Sequence, residues 1–352
     1  MRYFNFNQSC KSLIAVLLIL GLLSIPSAFA ASTSSGQTGT QIVTDLAGRD
    51  VTIPNPITNI SCLHPIPTYM AWRLAPEKLA SIDMVSKSRT YLMSKEGQKL
   101  FGSLPVTGVY FKGLNNEQVI SLKPDVIVSM TKDPNVDKEQ DTFNIPVVTV
   151  KKDTIEDYEP SFRFMGKVVG NEKEGNELAD YWKDTINRVK DASSKIPDDK
   201  KLRVFYTGAT SKTVPGSATI MSSIVRDAGG IPYADAVTLS GDKTNEGIEV
   251  SVEDIIKWNP DVIIAQNTNV TNDIMNDPVW KDTTAMKNDR VYCVPKYEFP
   301  DGITSIIGLM WVTETLYPDQ MPFDIPKETR NFFQKFYKVS DLTDDQIAMK
   351  NS

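Results

Sequence analysis

The residues able to do chemistry in this chain are few and far apart. Its only histidine, His64, directly follows an apolar run and precedes Pro65. A neutral ring nitrogen there could coordinate a transition metal, although a solitary His in such a place more often caps a helix or sits at the surface. Of the three cysteines, Cys10, Cys62 and Cys293 are widely separated. With one His beside them they are too thin a supply for a metal cluster or an inserted metal, so a chelatase-like or cluster-assembly enzyme lacks its ligands. A bare metal in a protein cage would have to lean on carboxylates such as Glu298 and Asp301. The acid-rich segment 133–141 resembles a calcium loop, but Lys138 stands where Gly is required and Asn144 where Glu is required, which reads as a solvated turn. Glycine-rich phosphate loops, nucleophile elbows and His-Glu-x-x-His patterns do not occur, so nucleotide binding and the common hydrolytic mechanisms lack their parts.

What must position any ligand-holding residues is an internal repeat. The stretch from Asn116 to Val128 returns as Val252 to Ile264, with Glu117 matching Glu253 and Pro124-Asp125-Val126-Ile127 matching Pro260-Asp261-Val262-Ile263. Each copy reads as a short helix opened by an acid, stopped before Pro, then a Val/Ile strand apolar enough to be buried on both faces of a parallel sheet. Other short apolar runs fit the same scheme: Ile60–Leu63, Leu79–Met84 and Pro146–Val150 in the first half, Leu202–Tyr206 and Val291–Val294 in the second. Between the halves, Leu178, Tyr181, Trp182, Ile186 and Val189 recur at three- and four-residue steps within Glu172–Lys195. That spacing predicts one helix about 36 Å long, able to brace two bodies side by side. The expected fold is α/β, with two Rossmann-like lobes of mainly parallel sheet joined by one long helix. The expected parts are an N-terminal lobe at 42–170, a linker helix at 171–196 and a C-terminal lobe with C-terminal helices at 197–352. A single helical crossing predicts a stiff pair of lobes.

In open α/β sheets, ligands bind beyond the carboxyl ends of the strands. The loops there predict a site from His64, Thr68, Tyr110, Phe111 and Lys132 in the first half and Thr210, Lys212, Asn267, Tyr297 and Phe299 in the second. The four aromatic residues could stack on a flat macrocycle or a chelator's rings, or simply cap the cores. Lys112, Lys132, Lys212 and Lys296 add positive charge suited to carboxylates and anionic chelates.

The N-terminus has an export layout: Arg2 and Lys11, an apolar run from Leu13 to Leu23, then Ala28-Phe29-Ala30 as a cleavage-like site. The run is short for a spanning helix, so residues 1–30 read as a signal peptide and the Ser/Thr/Gly-rich 31–41 as a flexible tether. The net charge of −6 becomes more negative without that leader and argues against nucleic acid. Cys62 and Cys293 read as buried strand-end residues rather than a bridge. Asn59-Ile60-Ser61 and Asn269-Val270-Thr271 fit the glycan acceptor pattern.

Taken in order along the chain, these motifs carry a resemblance. Asp45-Leu46-Ala47-Gly48-Arg49-Asp50-Val51-Thr52-Ile53-Pro54, the first Lys-Pro-Asp-Val-Ile-Val signature, the long central helix, the second Pro-Asp-Val-Ile-Ile copy and Met310-Trp311-Val312-Thr313-Glu314-Thr315-Leu316-Tyr317-Pro318 follow one another at family-like spacing. The chain resembles the helical-backbone, class III periplasmic binding proteins of ABC importers, which serve ferric siderophores, haem and vitamin B12. The resemblance implies an exported, monomeric, non-enzymatic receptor without intrinsic cofactor, holding an iron(III) chelate, or else a corrinoid or haem, between its lobes. It implies delivery to a permease dimer with its ATPase. Glu117 and Glu253 match the family's permease-docking acids, and His64 becomes a candidate ligand to iron or to a corrinoid cobalt. A helix-start carboxylate is also favoured by the helix dipole alone.

Overall fold

The computed structural model describes residues 39–91, 93–109, 113–130, 141–238, 243–297, 302–320, 323–348 and 350. The expected signal peptide and most of the expected tether lie outside them. The chain enters on an antiparallel hairpin, β1 (Gly39–Thr44) and β2 (Asp50–Asn55). The composition of 31–41 suggests a tether, but Gly39, Thr40 and Gln41 are ordered by pairing with Asn55, Pro54 and Ile53. Alternation explains the hairpin: Val43, Val51 and Ile53 are buried while Ile42 faces out.

The first lobe is a parallel sheet in the order β3 (Ile60–Cys62), β6 (Val126–Met130), β7 (Val147–Val150), with a short antiparallel ribbon β4 (Gly108–Val109) and β5 (Gly113–Leu114) beside it. The run Leu79–Met84, read as a strand, contributes only isolated parallel bridges at Leu79 and Ile82. Asp83 accepts from the backbone of Val85 and Ser86 and so starts a helix at Met84, ending the extended run early. The second lobe repeats the plan with β8 (Arg203–Tyr206), the ribbon β9 (Thr213–Val214) and β11 (Ile248–Glu249), then β10 (Ile231–Pro232), β12 (Val262–Ala265) and β13 (Val291–Cys293); its parallel order is β10-β8-β12-β13. Every residue of β6 except Met130, and every residue of β7 and β12, is buried. That accounts for the continuous apolar runs.

The repeat extends to backbone detail. Lys123 and Asn259, each preceding its Pro, both take left-handed φ, 48° and 56°. The Asp that follows the Pro then clamps the start of the neighbouring strand. Asp125 accepts from Thr58 N (2.7 Å), Thr58 Oγ1 (2.8 Å) and Asn59 N (3.0 Å), and Asp261 accepts from Arg203 N (2.8 Å), Nε (3.1 Å) and Nη2 (3.2 Å). The Pro-Asp signature is therefore a device for registering two strands at the end of the sheet away from the strand-end loops.

The linker helix runs Glu172–Ser193, with acids in its first turn and Lys190 in its last, as its dipole favours. It folds back on the helix Tyr158–Val169 across a turn at Gly170 (φ 71°). The two helices touch where Gly166 meets Gly175, and a Cβ on Gly175 would lie 2.8 Å from Gly166 Cα. Trp182, fully buried, stacks on Tyr158 at 4.9 Å and donates from Nε1 to Ile155 O at 2.6 Å.

The linker is not the only crossing. After the lobe-two helix Ser305–Leu316, the chain returns through Ile325–Phe332 and a π turn, Phe333–Tyr337. Phe332 and Phe336 lie 5.6 and 5.2 Å from Tyr181 of the linker, and Tyr337 lies 5.2 Å from Trp72 of lobe one. The C-terminal helices expected with the second lobe at 197–352 thus also pack on the linker and on lobe one. Four bulky aromatics, Phe332, Phe333, Phe336 and Tyr337, find their burial only by reaching back across the linker. One contiguous core accordingly runs from lobe one through the linker into lobe two.

Candidate functional site

In lobe two the order β10-β8-β12-β13 reverses its direction of winding between β8 and β12, and in lobe one the isolated parallel bridge of Leu79 to Ile60, on the side of β3 away from β6, gives the same reversal between β3 and β6. Loops leaving such neighbouring strands diverge to opposite sides and leave a crevice beyond their carboxyl ends. The equivalence is tight: Leu63 N donates to Val128 O at 3.1 Å and Thr207 N to Ile264 O at 2.9 Å. His64 and Gly208 therefore stand at matching places, and Thr207 Oγ1 ties the two strand ends by accepting from Gln266 N at 3.0 Å.

The structure sorts the candidates read from sequence. His64 is half-buried and caps the helix Pro65–Leu74, its Nδ1 accepting from Ile66 N at 3.4 Å. Thr68 is fully buried, and its hydroxyl donates to His64 O (2.8 Å) and bonds Asp83 Oδ2 (2.9 Å). It braces the His64 turn and presents no surface of its own. Asp83, equally buried, has its carboxylate engaged by Val85 N, Ser86 N, Ser86 Oγ and Thr68 Oγ1. Burial and that neighbouring charge push the Cys62 thiol far up, so Cys62 is an inert core residue, and Cys293 is buried as well. Thr210 and Lys212 are exposed in the β8–β9 turn, with Thr210 Oγ1 accepting from Lys212 N at 3.2 Å. Asn267 caps the helix Thr268–Asn276 through Oδ1, accepting from Val270 N at 3.0 Å, which leaves its amide NH₂ to point elsewhere. Tyr297 is 2% exposed and serves the core. Tyr110, Phe111, Lys132 and Phe299 lie outside the described residues.

Sequence reasoning passed over the residue that most defines the lobe interface. Lys152 follows Val147 at the interval at which Lys296 follows Val291, and Val147 and Val291 hold the same register, each paired with an equivalent residue of the central strand, Ile127 and Ile263. The shared pattern Val-x-x-Val-x-Lys was visible as an extension of the repeat. Both lysines reach the opposite lobe. Lys152 Nζ, on a side chain 9% exposed, meets Glu246 Oε1 of lobe two at 2.7 Å. Lys296 Nζ sits 4.6 Å from the ring centroid of Tyr91 of lobe one, whose hydroxyl donates to Lys296 O at 3.2 Å. The lobes thus meet through two lysines at equivalent strand ends.

Glu117 and Glu253 are both exposed in the first turn of their helices, Asn116–Ser121 and Val252–Trp258. Asn115 caps the first by accepting from Gln118 N (3.0 Å), and Ser251 caps the second by accepting from Asp254 N (3.1 Å). Each cap meets one of the open first-turn amides without help from the glutamate. Among the described residues no group of three or more His, Cys, Asp or Glu could hold a metal ion, and no helix is long and apolar enough to cross a membrane.

Comparison with known proteins agrees with the two-lobed α/β fold. The model of the family described as periplasmic binding protein matches residues 70–298. The chain is 26% identical to the molybdate-binding protein MolA of Haemophilus influenzae, across 92% of this chain and 96% of that one. The structure of MolA bound to molybdate superposes with a TM-score of 0.74, covering 86% of this chain and 100% of that one at 24% identity. An ABC transporter solute binding protein from Sulfurospirillum deleyianum gives a TM-score of 0.76 at 25% identity, covering 87% of this chain and 97% of that one. The Fe(3+)-citrate-binding protein YfmC of Bacillus subtilis is 27% identical over 55% of this chain and 62% of that one.

Proposed function

The chain belongs to the periplasmic binding proteins of ABC importers, in their class III form, and on that premise we propose that it captures an anionic, oxygen-rich metal species between its lobes outside the cytoplasmic membrane. It is a carrier and not an enzyme. The observation that carries the reading is the placement of Lys152 and Lys296 at equivalent strand ends, one from each lobe, with His64 and Asn267 following the strands that flank the two switch points. Cations and N–H donors set around a crevice suit a ligand whose periphery is all acceptors and whose charge is negative.

Two sources share that chemistry. One is an iron(III) chelate of carboxylate or siderophore type, the reading to which His64 and the lysines point from sequence. The other is a small metal oxyanion, favoured by likeness to MolA over nearly the full length of both chains. Corrinoid or haem binding by the same machinery is the more distant alternative. Calorimetric titration with molybdate, tungstate, iron(III) citrate, a ferric hydroxamate and cobalamin separates these. At least one anionic probe should bind in the micromolar range or tighter and cobalamin should not, whereas binding of cobalamin alone would overturn the proposal.

Glu117 and Glu253 are the proposed docking points on the permease dimer. Their matching positions on two similar lobes suit a two-fold symmetric partner. The Glu117→Ala/Glu253→Ala double variant should abolish uptake in cells while its affinity for the bound probe stays within about twofold of wild type. Normal uptake by the variant would remove the acids from docking.

A further inference from the structure

We propose that Glu156, Lys190 and Asp227 form a proton-operated latch between the lobes, closed while Asp227 carries a proton and loosened when that proton leaves. The latch works whichever ligand the crevice takes.

Three elements meet at this junction. The turn Ile155–Asp157 follows β7 of lobe one, Lys190 lies in the last turn of the linker, and Asp227 ends the lobe-two helix Ile220–Asp227. The turn is pinned on two sides. Ile155 N donates to Ser223 Oγ of the lobe-two helix at 2.9 Å, and Ile155 O accepts from Trp182 Nε1 of the linker at 2.6 Å. Beside it, Lys190 Nζ stands 2.5 Å from Glu156 Oε1 and 3.3 Å from Asp227 Oδ1. One ammonium thus serves two carboxyls brought from opposite lobes.

The charge count makes the junction switchable. With both carboxyls ionised, the cluster keeps one negative charge too many, and one of the two acids is poorly placed to bear it: the Asp227 side chain is 11% exposed, against 44% for Glu156. Asp227 Oδ2 is also buried with no hydrogen-bond donor on it. An ionised oxygen so placed costs free energy that a proton removes. The proton cancels the surplus charge and makes Asp227 a donor toward Glu156. Titration points the same way, since burial and the Glu156 charge push the Asp227 carboxyl up to about 7, while for Glu156 burial is outweighed by Lys190 and by hydrogen bonds that hold it low. Among the described residues, other charges on or against the same helix are committed elsewhere: Arg226 pairs with Asp235, Arg203 of β8 pairs with Asp261, and Glu314 of the helix Ser305–Leu316 accepts from Phe323 N.

In an opened junction Asp227 faces water and titrates as an ordinary carboxyl near 3.8, whereas in the closed one it keeps its proton to about 7. Opening is therefore hardest in acid, grows easier as pH rises from about 4 to 7, and levels off above that. Hydrogen exchange on the whole protein tests this, expressed as protection factors so that the intrinsic pH dependence of exchange drops out. The Ile155 amide reads the junction, and Ile263 and Ile264 of β12 read the buried sheet. In the wild type, Ile155 should be less protected than β12 at pH 5 and at pH 8, the mark of local opening, and its protection should fall by about tenfold or more between them. Asp227→Asn, neutral at every pH and of the same shape, should keep that protection constant within about twofold. Glu156→Gln, which removes the like charge, should move the fall to lower pH. An Ile155 amide that exchanges only together with β12, wild-type protection that ignores pH, a pH response that survives in Asp227→Asn, or a fall left in place by Glu156→Gln each overturns the latch and leaves the receptor reading intact.

Discussion

The paired aspartates of the repeat give a prediction with a magnitude attached. Asp125→Ala removes the acceptor of two backbone amides, Thr58 N and Asn59 N, and of the Thr58 hydroxyl. Each amide left without a partner costs about 1–2 kcal/mol, less where water can reach it, so the substitution should destabilise the protein by about 2–3 kcal/mol. Asp261→Ala removes the acceptor of one backbone amide and two guanidinium bonds, on side chains that are 37% and 22% exposed. Solvent screening reduces the ionic part to under about 1 kcal/mol, and the expected loss is about 2 kcal/mol. Urea unfolding followed by far-UV circular dichroism reads both losses as lowered midpoints. Because each clamp sits at the start of its strand and the crevice lies beyond the strand ends, affinity for a bound anion should not change. A variant with an unmoved midpoint, or one that keeps its stability and loses its ligand, would refute the assignment of Pro-Asp as a strand clamp.

Two further outcomes follow from the linker. Gly175→Ala should destabilise by about 1–3 kcal/mol, since its Cβ would meet Phe162 O at 2.8 Å, whereas Gly102→Ala, with open space around it in the helix Lys95–Ser103, should be neutral or mildly stabilising; a thermal melt of each decides. Burial and the adjacent Glu156 push the Asp227 carboxyl up to about 7 despite Lys190 at 3.3 Å, whereas for Glu156 burial, the largest single influence, is outweighed by the hydrogen bond and charge of Lys190 together with a backbone and an Asp227 hydrogen bond, which hold it low. The folded state therefore keeps the Asp227 proton where an ordinary carboxyl near 3.8 has lost it, and this group's contribution to stability falls as pH rises from about 4 to 7. Asp227→Asn should accordingly gain midpoint relative to wild type between pH 5 and pH 8, and a constant difference across that range would contradict the assignment.

Much of this architecture could be read before any coordinates. The Val/Ile runs after each Pro-Asp became β6 and β12, and the three- and four-residue steps of Leu178, Trp182, Ile186 and Val189 became one helix, because periodicity reports burial directly. The return of Phe332–Tyr337 to lobe one was not legible, since spacing tells which face is apolar and not what covers it. The same limit governed the site. Strand-end position singled out His64 and Asn267, yet it equally singled out Thr68 and Tyr297, whose burial depends on neighbours distant in sequence such as Asp83. Lys152 was hidden for a different reason: one lysine among many carries no signal until the repeat is extended past β7 to show that Lys296 is its counterpart.

The aromatic return segment has a mechanical consequence. Swinging one lobe away from the other would drag Phe332 and Phe336 across Tyr181 and pull Tyr337 off Trp72, exposing rings that stay dry at rest and so generating a restoring torque. Burial of those rings opposes such a swing and favours the rest position. A transporter gripping Glu117 and Glu253 would then find them at nearly the same span on an empty receptor as on a full one. It would have to sense cargo at the rim of the crevice, by chemistry rather than by reach.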